Sequence, residues 1–171
     1  MRIFVTCLLS LIVLSNVSCK KSEDDNSRQR RFVSFKLDSK IYLAENPKGT
    51  IYVPNFSDDN PLNDFPKMEI TAQSYTGDVI TFTLATAALP FKPGTYPCTK
   101  KGNSMLIALN NSMRIALSSK ASTDFYITIT RIDNITVEGT FAGTLVDTTI
   151  SSITKKATDG AFRAVITQVS Q

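Results

Sequence analysis

The chain is 171 residues long and carries 19 Lys and Arg against 15 Asp and Glu, with three Cys and neither His nor Trp. Without His it lacks the commonest general base, the usual partner of a Ser or Cys nucleophile and the commonest transition-metal ligand, which excludes most hydrolase constellations. The formal charge of +4 sits mostly at the start: Arg2, then five basic against three acidic residues between 19 and 31, leave 13 basic and 12 acidic over Phe32 to Gln171, too balanced for a nucleic-acid surface.

Arg2 is followed by an apolar run from Ile3 to Leu14 and the small polar stretch Ser15, Asn16, Val17, Ser18. This is the charge, apolar core and cleavable tail of a secretory signal, too short for the roughly 20 residues that span a bilayer. Cys19 directly after Ser18 predicts a lipoprotein signal peptide over residues 1–18 and lipid attachment at Cys19. The partner of that end is then a membrane, and several acyl chains on one residue hold where a single chain binds only marginally. Residues 20–31 (KKSEDDNSRQRR) contain no apolar side chain, so residues 19–31 are expected to be a lipidated Cys and a disordered tether. With Cys7 in the leader and Cys19 acylated, Cys98 is left alone, which predicts no disulfide and a buried thiol.

Residues 32–171 suit one domain. Short runs rich in Ile, Val, Thr, Phe and Tyr recur between turn residues, and no convincing helical face appears. FVSFKLD alternates Val33, Phe35 and Leu37 with polar residues, and Asp38-Ser39 turns the chain into Lys40-IYLA, an opening hairpin. Further strands are predicted at Thr50 to Val53, Lys67 to Ser74, Val79 to Ala85, Phe125 to Ile132, Ile135 to Val146 and Gly160 to Gln168. Ser104 to Ser118 fits helical spacing as well as alternation. A hairpin about a two-residue Asn110-Asn111 turn is preferred, because Asn tolerates positive φ. Pro54 to Pro66 and Ala87 to Pro97 are irregular and hold most of the prolines. The expected fold is all-β, an antiparallel β-sandwich of about eight to ten short strands, with a lipocalin-like β-barrel as the alternative.

Several stretches in this order, FVSFKLDSKIYLA, PGTY at Pro93 to Tyr96, ITITRIDNITVEGTFAGTL at Ile127 to Leu145 and TDGAFRAVI at Thr158 to Ile166, resemble an uncharacterised family of small Bacteroidota lipoproteins. The chain departs from that pattern at Ser39, where such proteins commonly carry Gly, and Asn16 replaces the usual lipobox Leu. The opening CKKSEDD resembles the Lys-then-acidic signal that sends such lipoproteins to the cell surface. The resemblance implies a β-sandwich on a lipid tether in the outer membrane, facing outward, and it carries no activity or site residue. On physical grounds PGTY and EGTF are packing motifs: Pro93 fixes φ, Gly94 bends the chain, Tyr96 buries its ring, and Gly139 marks a bulge or close backbone approach with Phe141 returning to the core.

Among constellations that could carry chemistry, Phe56, Phe65, Phe91 and Tyr96 lie in or beside the two irregular segments. They are the candidate contact surface, against a plain role as plugs for the ends of the fold. Asp58, Asp59, Asn60 and Asp64 offer hard oxygen ligands for Ca²⁺, but Leu62 and Asn63 spoil the loop as an EF-hand. Ser152-Ile153-Thr154-Lys155 matches S-x-x-K without the motifs that accompany it in penicillin-binding proteins. Asp58, Asp64, Glu69 and Glu138 are the acids of a remote carboxylate-only glycosidase reading. Asp147-Thr148-Thr149 resembles a Bacteroidota O-glycosylation sequence. These residues predict a non-catalytic binding module for a glycan or an envelope protein, with no cofactor beyond a Ca²⁺ option. The alternative is an accessory subunit of an outer-membrane complex.

Overall fold

The computed structural model describes residues 30–57, 59–61, 63–110, 115–120 and 122–170. The leader, Cys19, Asp58, Leu62 and Asn111 lie outside the described residues. Among the described residues there are ten strands and no helix: β1 (Phe32–Leu37), β2 (Lys40–Val53), β3 (Lys67–Ser74), β4 (Val79–Ala85), β5 (Gly94–Pro97), β6 (Ser104–Ala108), β7 (Ala116–Ser118), β8 (Tyr126–Ile132), β9 (Thr136–Asp147) and β10 (Thr154–Ser170).

The strands form one closed sheet, an eight-strand antiparallel barrel, which agrees with the all-β expectation and with its barrel alternative and not with the two-layer sandwich. Around the ring β9 pairs with β10, β10 with β1, β1 with β2, then β3, β4, β6 and β7 follow, and β7 returns to β9 through Leu117↔Asp147 and Ser118↔Val146. A sandwich of short strands fails because three strands are long, at 14, 12 and 17 residues. The register also shifts within β2 at Glu45/Lys48 and within β10 at Ala157/Gly160. Such bulges add local twist and let one sheet coil until it closes. What reads as two strands, IYLA and Thr50 to Val53, is a single strand bent at Asn46-Pro47, where Asn46 takes φ +53.

β1 is a wedge. It pairs along its whole length with β2 and, on its other edge, with β10; beyond Phe32, β2 and β10 meet directly in parallel from Lys48↔Val165 to Val53↔Ser170. The chain therefore enters the barrel part-way up its wall. β8 pairs with the half of the β9 edge that β7 leaves open, and β5 adds to β8. β5 falls within the segment expected to be irregular.

Between β4/β6 and β5/β8 the ladder is interrupted, and buried polar groups close the gap. Asn103 Oδ1 accepts from Ala85 N (2.9 Å) while its Nδ2 donates to Pro97 O (3.1 Å). The Ser119 hydroxyl accepts from Met105 N (2.6 Å) and donates to Cys98 Sγ (3.2 Å). Asn103 and Ser119 are 4% and 0% exposed, so these bonds take the place of ladder bonds that the backbone would otherwise lose to burial.

Inward positions alternate along the strands as the pleat requires. Phe82, Phe141, Phe162 and Phe35 cluster at the centre, with ring centroids 4.8 Å apart for the edge-on pair Phe82–Phe141, 5.4 Å for the stacked pair Phe82–Phe162 and 5.5 Å for the tilted pair Phe35–Phe141. The space for two of these rings comes from glycines directly across the β9–β10 ladder: Gly139 faces Phe162, and Gly160 faces Phe141. A Cβ on Gly139 would stand 2.5 Å from the Phe162 ring and 2.3 Å from Thr128 O; one on Gly160 would stand 2.6 Å from the Phe141 ring. The barrel interior is thus packed with side chains, unlike the ligand-holding lumen of a lipocalin.

Candidate functional site

The register sorts the connections between the two ends of the barrel. At one end lie the turns Asp38-Ser39 and Tyr75–Asp78, the β6–β7 connection and residues 148–153. At the other end lie both irregular loops, 54–66 and 86–93, with the short β8–β9 turn at 133–135. Two loops far apart in sequence are neighbours because β3 and β4 form a hairpin between them. Thr86 N donates to Pro66 O at 3.2 Å and ties one to the other.

In the first loop, Asn55 N donates to Asn63 O (3.0 Å), pairing the two arms next to Phe56 and near Phe65. Phe56 is 77% exposed and Phe65 48%, and Ile135 and Val169 add exposed apolar surface at the same end. Below them the Lys67 ammonium lies 4.6 Å over the Tyr52 ring. The second loop behaves differently. Phe91 is 3% exposed and belongs to the core; the Tyr96 ring packs near it (centroids 6.3 Å) and its hydroxyl donates to Lys92 O at 2.8 Å. Burial raises the Tyr96 phenol above its usual pKa, against the bond to Lys92. Of the four rings expected to share a contact surface, then, Phe56 and Phe65 face solvent. Phe91 does not, because it is the anchor that seats the loop, and the half-buried Tyr96 closes the PGTY corner, which Gly94 bends at φ +152.

Of the Ca²⁺ candidates, Asp59 and Asn60 are exposed, Asp64 is half-buried and Asp58 lies outside the described residues; among the described residues no group of three Asp, Glu or Cys side chains is placed to hold a metal. Ser152 sits in the exposed β9–β10 turn, and the Lys155 ammonium is bound to Asp38 Oδ2 at 2.7 Å. Lys155 is therefore not offered to the hydroxyl as a base. Of the glycosidase acids, Glu138 and Glu69 are each held by a basic side chain. Glu138, on β9, is held by Arg163 at 2.9 Å with Arg131 at 3.9 Å, and Glu69, on β3, lies beside Lys67 at 3.7 Å. Two strands, β10 and β2, separate these two acids. At about 4.8 Å per strand the lateral separation alone is roughly 14 Å, beyond the roughly 5–9.5 Å that glycoside hydrolysis needs, and their partners on β10, Arg163 and Thr167, are offset further along the strand.

A second concave feature lies on the outer wall: a shallow cleft of about 270 Å³ lined by Leu43, Glu45, Gln73, Ser74 and Tyr75. Tyr75 stands at its rim, 88% exposed. The turn that carries it is pinned by a buried carboxylate. Asp78 is 6% exposed and accepts from the Thr76 and Ser74 hydroxyls and from Asn110 N (2.8 Å), while Asp78 N donates to Ser74 Oγ (3.0 Å). Burial alone would raise the Asp78 carboxyl, but these donors and the charge of Lys40 outweigh it and hold the group below the usual carboxylate value. Sequence reading misses this cleft because Glu45 and Gln73 become neighbours only through the β2–β3 register. Tyr75-Thr76-Gly77-Asp78 carries one signal, an aromatic at the head of a turn.

Comparison with protein-family models, with curated proteins and with solved structures finds no match for this chain.

Proposed function

We propose that this chain is a non-catalytic interaction module, lipid-anchored through Cys19 at the outer face of a bacterial outer membrane, that engages an envelope protein through the loop end of its barrel. The observation that carries the reading is the pair of exposed rings, Phe56 and Phe65, with Ile135 and Val169 at the same end of a densely packed scaffold. Loops on a rigid sheet are where binding usually resides, and an exposed apolar cluster marks a contact face.

An accessory subunit with one wall of the barrel covered is the second reading. It is favoured by Val79 and Leu106, 36% and 39% exposed on the neighbouring strands β4 and β6.

Two measurements test the proposal together. Cells fed a labelled fatty acid should label the protein, and Cys19→Ala should abolish the label. A photo-crosslinker placed at Phe56 should capture one defined envelope protein on intact cells, and Phe65→Ala should reduce that capture. No label, or capture unchanged by Phe65→Ala, overturns the anchoring or the loop-end assignment respectively.

A further inference from the structure

We infer that the wall cleft at the β2 bend is a binding site for one neutral pyranose ring, built from Tyr75, Glu45 and Gln73. It is distinct from the loop end and adds a second contact to the interaction-module reading without resting on it.

Four features of the cleft converge. The first is the platform. A tyrosine 88% exposed at the rim of a concavity offers a π face to the C–H face of a sugar, and such a ring loses little freedom on binding. The second is the polar pair. Glu45 and Gln73 are directly opposite across the β2–β3 ladder and both are exposed, so a carboxylate acceptor and an amide that both donates and accepts stand within about 5.5 Å of each other at Cβ. Adjacent ring hydroxyls need that combination.

The third feature is charge. Arg30 Nη2 lies 2.6 Å from Glu45 Oε1, so the two charges pair and the cleft presents no net charge that would select a charged sugar over a neutral one. The fourth is preorganisation. The Asp78 bonds fix the Tyr75 turn from behind, and the β2 bend fixes the other wall, with Asn46 held at φ +53 and Asn46 N donating to Arg31 O at 3.3 Å. Bulges and left-handed residues that aim side chains in this way concentrate at binding sites. The volume of about 270 Å³ is just under the roughly 300 Å³ at which drug-sized pockets begin, which fits one ring and excludes a longer buried chain.

The test is a ¹H–¹⁵N titration of the purified protein with the methyl glycosides of glucose, galactose, mannose and N-acetylglucosamine. At least one should shift the amides of Leu43, Glu45, Gln73, Ser74 and Tyr75 with millimolar affinity. Tyr75→Ala should weaken binding about tenfold or more, Tyr75→Phe should keep it, and Gln73→Ala should weaken it while the rest of the spectrum stays that of the folded protein. If no glycoside moves these amides, or if Tyr75→Ala leaves the affinity unchanged, the site is refuted. Phe56→Ala should leave the glycoside shifts intact and Tyr75→Ala should leave the Phe56 crosslink intact, so loss at one site is separable from loss at the other.

Discussion

Replacing Gly139 with Ala adds a single methyl group where the barrel has no room for one. Its Cβ would meet Thr128 O at 2.3 Å and two atoms of the Phe162 ring at 2.5 and 2.7 Å. The ring could rotate away only into Phe82 and Phe141, whose centroids lie 5.4 and 6.4 Å from that of Phe162, and the carbonyl belongs to β8, paired to β9 at this point. Overpacking of this kind costs about 1–3 kcal/mol, and a backbone atom among the contacts places Gly139→Ala at or above the upper value. A loss of about 3 kcal/mol lowers the melting temperature of a chain this size by roughly 6–12 °C. Urea unfolding followed by circular dichroism reads the same loss as a lower midpoint with an unchanged slope. Shrinking the ring separates the two clashes. Phe162→Leu in the Gly139→Ala background should restore about 1 kcal/mol relative to the sum of the single losses, the rest staying with the carbonyl. A loss under about 0.5 kcal/mol for Gly139→Ala, or strict additivity of the pair, would refute the claim that glycine and phenylalanine share this space.

Other perturbations read different parts of the barrel. Asp38 and Ser39 both take positive φ, +46 and +73, so Ser39→Gly should stabilise the opening hairpin by roughly 0.5–1 kcal/mol in the same urea assay, relief of left-handed strain exceeding the entropy that glycine loses. Ser119→Ala leaves the buried Met105 N–H only the weak Cys98 sulfur as acceptor and should cost about 1–3 kcal/mol by thermal unfolding. Asp38, Asp78, Asp124 and Asp133 all have carboxyl pKa values held below the ordinary Asp value by the hydrogen bonds they accept. Their contribution is complete above that value and is lost as pH falls through the lower folded-state values, so urea midpoints should hold from neutral pH to about pH 5 and fall steeply below about pH 4, less steeply in Asp78→Asn. Cys98 is 2% exposed and burial raises its thiol pKa, so labelling by a thiol reagent should track global unfolding; rapid labelling of the native protein would contradict the described seam.

What the sequence discloses divides along the range of the interactions involved. β3 and β4 coincide with the alternating runs Lys67 to Ser74 and Val79 to Ala85, because period-2 burial is written locally. The β6–β7 pairing follows the expected hairpin, and Leu109 N donates to Ile115 O beyond its last register pair, while the Asn110-Asn111 turn falls partly outside the described residues. Closure was not legible, since nothing in Leu117 or Asp147 announces that they are register partners. β5 was hidden by prolines at both ends of a four-residue strand. At the candidate site the aromatic residues were legible by type but not by side. Phe56 and Phe91 look alike in sequence, and only the surrounding packing turns one outward and the other into the core. The cleft pair Glu45 and Gln73 was invisible because two residues 28 positions apart in the chain are set side by side only by the ladder.

The wedge position of β1 also decides how the barrel meets a mechanical load. A pull applied through the chain at Phe32 and directed along the barrel axis toward the loop end loads β1 in shear against β2 and β10 at once, so both ladders must slip together. The same pull directed outward from the wall opens the ladders one residue at a time, starting at Phe32↔Glu45 and Phe32↔Arg163. The barrel should therefore withstand tension in one direction far better than in the other. Whatever holds its N-terminal side has leverage on stability that depends on the angle of approach.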